Sequence, residues 1–246
     1  MKKLIALLLG ALLLVSAAAC VQKQDEQPEE EGKPQAGESQ QNEPLSGGWQ
    51  LTENFEMTDE LRAIFEKALN GLVGVNYVPI ACLGTQVVAG TNYCFLTQGT
   101  VVYPGAAPTY KLVYVYEDLS GSAEILNIAD MPIVPNEDGT VSTPETETLA
   151  GGWFYSEAYA ITSEKETRFG EALNDYGYLA VYTPVADLGS QVVAGMNRCF
   201  LVRFTERTPG AVPSYKLMYV YEPLEGSAKM LQVIDFDIGG YCTYGA

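Results

Sequence analysis

Leu83-Gly84-Thr85-Gln86-Val87-Val88-Ala89-Gly90-Thr91-Asn92-Tyr93-Cys94-Phe95-Leu96 decides the fold, because the chain carries it twice. It returns as Leu188-Gly189-Ser190-Gln191-Val192-Val193-Ala194-Gly195-Met196-Asn197-Arg198-Cys199-Phe200-Leu201. Residues 86–90 and 191–195 are identical, and the flanking Asn, Cys, Phe and Leu keep their frame. A repeat in a fixed frame means two copies of one structural unit.

Within the repeat, Val87, Val88 and Ala89 are small and apolar, and Gly90 relaxes the backbone. A β-rich run lies on each side, so residues 86–90 read as the tip of a β-hairpin. Loop tips lie at the surface, and an exposed apolar patch marks a contact site. The same holds for Gln191, Val192, Val193, Ala194 and Gly195.

Outward from the tip, the pattern is one helix and then strands. Leu61, Ile64, Phe65, Ala68 and Leu69 make one apolar helix face, opened by Thr58-Asp59-Glu60. In the second copy Phe169, Ala172 and Leu173 keep the end of that stripe. Lys165 and Arg168 replace its first members, and Ser163 with Glu166 reads as a capping box. Residues 75–86, 91–102, 110–117 and 123–128 read as strands, with turns at Pro104-Gly105 and Leu119-Ser120-Gly121. One helix followed by antiparallel strands is an α+β layer arrangement.

The Gln-Val-Val-Ala-Gly tip, followed by Thr91-Asn92-Tyr93, resembles the first inhibitory loop of the cystatin family, most closely its stefin branch. The resemblance implies two tandem cystatin-like domains, each one helix packed on an antiparallel four- to five-stranded sheet. It implies that the tips enter the active-site cleft of papain-like cysteine proteases. The family's N-terminal glycine corresponds to Gly47 and Gly48, and to Gly151 and Gly152. Its second hairpin loop corresponds to the turns at Leu119 and Leu224. Many cystatins carry Pro-Trp in that loop; here the residues are Asp118-Leu119-Ser120 and Pro223-Leu224-Glu225.

The N-terminus has a different character. Met1-Lys2-Lys3, a run of apolar residues and Ala17-Ala18-Ala19 before Cys20 read as a lipoprotein signal over residues 1–19. Cys20 would then be the lipidated residue, and the protein exported and anchored to a bacterial membrane at the cell surface. Residues 20–46 are rich in Gln, Glu and Pro, have no aromatics, and read as a disordered acidic tether. The proposed division continues with residues 47–131 as the first domain, 132–149 as a proline-punctuated linker and 150–246 as the second, independent domain. The formal net charge of −17 argues against nucleic acid as a partner.

Cys82 and Cys94 flank the first tip symmetrically, which allows a cross-strand disulfide or two free thiols; Cys199 pairs with Cys242 or stays free. The chain has no His. That removes the usual general base and the commonest zinc ligand. No metal site or cofactor motif is visible, and no catalytic constellation assembles. Two functions follow: reversible inhibition of papain-like proteases, or non-inhibitory surface binding on the same scaffold. An enzyme is not expected.

Overall fold

The long apolar runs on either side of each tip set the architecture. The computed structural model describes residues 47–145 and 151–243, apart from 175 and 177. The signal, Cys20 and the tether lie outside the described residues. The first copy comprises β1 (Trp49–Leu51), α1 (Asp59–Ala68), β2 (Val75–Val88), β3 (Gly90–Val101), β4 (Thr109–Glu117) and β5 (Ala123–Asp130). A short hairpin follows, β6 (Val134–Pro135) with β7 (Val141–Ser142). The second copy comprises β8 (Trp153–Tyr155), α2 (Ser163–Ala172), β9 (Ala180–Val193), β10 (Gly195–Glu206), β11 (Ser214–Glu222) and β12 (Lys229–Phe236). Each copy folds as a five-stranded antiparallel sheet, β1-β2-β3-β4-β5 and β12-β11-β10-β9-β8.

Each helix begins where a threonine satisfies an orphan backbone donor. Thr58 Oγ1 accepts from Leu61 N–H, and Thr162 Oγ1 accepts from Lys165 N–H. The cap of α2 is therefore Thr162, and Ser163 is already helical. Phe65 presses α1 onto Cys82, Phe95, Val113 and Val115. Phe169 and Ala172 press α2 onto Phe200, Val202, Met218 and Val220.

The opposite face of each sheet is buried as well, against the other sheet. Leu83, Cys94, Leu96, Leu112 and Tyr114 form one cluster with Leu188, Cys199, Leu201, Leu217 and Tyr219. The layers run helix, sheet, sheet, helix. This corrects the expected α+β class of two tandem cystatin-like domains. Among the described residues the protein is mostly sheet, 49% strand against 12% helix, with three sheets and two α-helices. The physical reason lies in the strands. Those beside the tips are 14 and 12 residues long, whereas each helix has ten. Their central residues are apolar on both faces, so a second sheet covers what one helix cannot.

Besides the cluster under each helix, the copies share one core between the sheets, and the proline-punctuated joint enters it. Met131 and Ile133 are fully buried in the shared cluster. Tyr219 donates to Ile133 O at 3.2 Å, so the segment after β5 lies on the second sheet. Reciprocally, Tyr114 donates to Ile238 O, so the segment after β12 lies on the first. A Cβ on Gly84 would meet Ile238 Cδ1 at 2.5 Å, and one on Gly189 would meet Ile133 Cδ1 at 2.2 Å. Each sheet thus has a glycine-floored notch filled by an isoleucine from the other copy's trailing arm. Burying one such side chain contributes about 1.5–3 kcal/mol.

These contacts also fix direction. Trp49 and Gly84 belong to the tip half of the first sheet, yet they meet Gly239 and Ile238, beyond the far end of β12. Tyr110, at the far end of β4, donates to Ser156 O at 2.9 Å, just past β8. The two sheets therefore stack head to tail.

Candidate functional site

At the first tip, β2 and β3 pair up to Val88↔Gly90, leaving Ala89 alone at the turn. Gly90 has φ +134°, and a Cβ there would lie 2.3 Å from Glu117 O and 2.7 Å from the Tyr116 ring. No other residue fits: conformation and space both exclude a side chain. Tyr116 donates its hydroxyl to Ala89 O at 2.6 Å, so the turn is strapped to the neighbouring strand. The second tip is built the same way. Gly195 has φ +126° with Glu222 O at 2.4 Å from a notional Cβ, and Tyr221 donates to Ala194 O at 2.6 Å.

Gln86 has a different use. Its Nε2 donates to Gly47 O at 2.9 Å, and its Oε1 accepts from Asn92 Nδ2 at 2.7 Å. In the second copy Gln191 donates to Gly151 O at 2.7 Å and accepts from Asn197 at 2.8 Å. Both glutamines are positioning residues that tie the glycine entrance to the hairpin. Exposure falls on the following residues: Val87 is 46% exposed, Val88 41%, Val192 62% and Val193 41%. Ala89 and Ala194 are exposed too.

Strand pairing brings the other expected pieces alongside. Trp49↔Gln86 holds Gly47 and Gly48 beside the first hairpin, and Thr91↔Glu117 sets the Leu119 turn on its other flank. Trp153↔Gln191 and Met196↔Glu222 do the same for Gly151, Gly152 and Leu224. Glycine entrance, apolar tip and leucine turn thus share one end of each sheet. With strands about 4.8 Å apart, the edge is roughly 20 Å wide. Leu119 and Leu224 are 89% and 83% exposed.

The leucine turns are braced from beneath. Lys67 at the end of α1 donates to Gly121 O, and Arg168 of α2 donates to Gly226 O at 2.9 Å. In the first copy Asp118 Oδ1 accepts from Ser120 N, Ser120 Oγ and Ser122 N at 2.7–2.9 Å. The Ser120 hydroxyl and these backbone donors hold the Asp118 carboxyl below the usual carboxylate range. Pro223 occupies that position in the second copy.

Beneath the second tip, three substitutions act together. Leu61, Cys82 and Tyr93 of the first copy become Lys165, Asp187 and Arg198. Asp187 is fully buried; it accepts from Ser156 Oγ at 2.7 Å and pairs with Lys165 at 2.8 Å and Arg198 at 3.0 Å. Arg198 Nε–H is also shared between the two carboxylate oxygens of Glu222, each at 2.9 Å. Arg198, which stands where the first copy has Tyr93, is therefore turned inward and neutralised. The poorer apolar stripe of α2 is explained too, since Lys165 and Arg168 have polar partners there.

The disulfide allowed by spacing does not form. Cys82 and Cys94 are free. A bulge shifts the register so that Cys82 pairs with Phe95, and Cys94 with Gly84. Cys82 then faces α1 while Cys94 faces the second sheet. Burial pushes the Cys82 thiol up to about 12. Cys199 and Cys242 are free too; Cys199 is buried, and Cys242 is half-buried.

Among the described residues, no group of three or more His, Cys, Asp or Glu side chains is placed to hold a metal ion. No protein-family model matches the chain, and no curated protein matches it. The sequence alone did not mark Tyr116, Tyr221, Lys67 or Arg168 as supports of the edge. Only the recurrence of Tyr116 as Tyr221, in one frame with the tip, could have pointed to two of them.

Proposed function

We propose that the chain is a reversible inhibitor of papain-like cysteine endopeptidases, which occludes the active-site cleft with residues 86–90 and 191–195. One observation carries the reading. A rigid apolar tip stands exposed between a glycine entrance and an exposed leucine turn, and the same edge is built twice. The resemblance of the tip to the cystatin loop supplies the target class.

Physical chemistry supports the mechanism. Val87, Val88 and Ala89 would lose apolar surface to the cleft at about 25 cal/mol per Å². The strap from Tyr116 to Ala89 and the Gly90 turn keep the backbone in one conformation. Little entropy is then lost on docking. A strapped turn also resists adopting the extended form of a substrate, so no peptide bond is offered to the catalytic thiol. In this reading Leu119 and Leu224 contribute the outer flank, Gly47, Gly48, Gly151 and Gly152 the inner one, and no residue of the chain is catalytic. Cys20 would carry the lipid, and residues 20–46 would hold the edges clear of the membrane.

Steady-state titration of papain tests it. The expected result is inhibition competitive with a peptide substrate, with the chain recovered uncut between residues 86 and 90 and between 191 and 195. Absence of inhibition at micromolar chain, or cleavage within either tip, would overturn it.

A further inference from the structure

The head-to-tail stacking has a consequence for partners. In one direction, the tip half of the first sheet packs on the arm that follows the far end of the second. Trp49 lies against Gly239, Gly84 against Ile238, and Tyr114 bonds to Ile238 O. In the other, Gly189 lies against Ile133, and Tyr219 bonds to Ile133 O. Far-end residues of the first sheet meet middle residues of the second: Gln98 donates to Glu157 O at 3.0 Å, and Tyr110 to Ser156 O. Sheets stacked side by side in the same direction would join tip to tip and far end to far end, and none of these pairs does so.

The two edges therefore lie at opposite ends of one body and point away from each other. With about 3.3 Å of rise per residue over strands of 12 to 14 residues, the tips stand roughly 40 Å apart. A compact partner of about 200 residues has a radius of gyration near 16–17 Å. One such partner covers one edge, and its body extends away from the molecule. The shared core fixes the spacing, because residues from both copies fill one cluster. The second edge keeps the parts of the first, with the β6–β7 segment beside Gly152. Its tip is identical, its strap from Tyr221 is as short as that of Tyr116, and Arg198 is spent internally.

We propose that a single chain holds two papain-like protease molecules at once, one at each end, with the two sites independent. This rests on the inhibitor reading above. The shared core gives the tandem copy a use: it fixes two recognition edges in opposite directions.

Sedimentation velocity of the full chain with excess papain tests the proposal, on the native sequence and on Val88→Asp, Val193→Asp and the double variant. The expected masses are two proteases per chain for the native sequence, one for each single variant and none for the double. A native complex that saturates at one protease would overturn two-site binding while leaving inhibition intact. So would loss of all binding in one single variant. If the native chain binds no papain at all, the inhibitor reading falls first and this proposal with it. The valines are exposed, so the aspartates leave the core untouched; an unchanged far-ultraviolet circular dichroism spectrum of each variant checks this.

Discussion

Ala89 is held in place by its neighbours rather than by itself. Gly90 supplies the only backbone that turns there, and Tyr116 takes up the Ala89 carbonyl. Gly90→Ala would place a methyl 2.3 Å from Glu117 O at a φ that L-residues avoid. The strain is of order 1–3 kcal/mol. We expect the first edge to lose at least about tenfold in affinity for papain, read with Val193→Asp in the background so that only the first edge reports. Asp118 gives a second expectation at this scale. Its carboxyl titrates below its unfolded value because the charged form accepts three hydrogen bonds in the fold. That contribution is present above the ordinary carboxylate value and is lost as pH falls through the depressed one. The protection of the Ser120 and Ser122 amides, relative to their intrinsic exchange, should therefore fall only as pH drops below the ordinary aspartate value. Loss of protection already above that value would contradict the assignment, and the turn at Leu224, which has Pro223, should show no such step.

At the scale of elements, the two trailing arms matter most. Ile133 and Ile238 occupy equivalent frames, and each fills the glycine notch of the other copy's sheet. Ile238→Ala and Ile133→Ala should each cost about 2–5 kcal/mol. Because both residues sit in the shared core, either substitution should shift one unfolding transition for the whole chain, measured by urea denaturation. Two separate transitions, with only one moving, would contradict a shared core. The tips, the strand frame and the helix positions were legible in the sequence, because they depend on local residues such as Gly90 and Thr58. The stacking of the sheets was not. Tyr110-Lys111-Leu112-Val113-Tyr114-Val115-Tyr116 is apolar on both faces, which signals double burial, but nothing local says which surface covers it. Likewise Asn136-Glu137-Asp138-Gly139 reads as linker, although it is the turn of a hairpin whose flanking residue Ile133 is core. Gln86 looked like part of the contact surface; only the hydrogen bond to Gly47 assigns its amide to the scaffold.

Over the described residues, two identical tips are joined through one shared core, with the ionic cluster at Asp187 replacing an apolar one beneath the second. Removing one partner of this cluster should cost about 3–5 kcal/mol, because it leaves the buried Asp187 charge uncompensated. In the inhibitor reading, Val87, Val88, Val192 and Val193 are the exposed apolar side chains at the centre of the two edges. The most direct measurement compares inhibition of papain by the native chain with inhibition by the Val88→Asp, Val193→Asp double variant, at equal stability in urea. Each aspartate would take an unpaired charge into the cleft, at a penalty of several kcal/mol. The expected result is at least a roughly hundredfold rise in the inhibition constant. Inhibition unchanged in the double variant, or absent from the native chain, would contradict the assignment of the tips as the inhibitory surface.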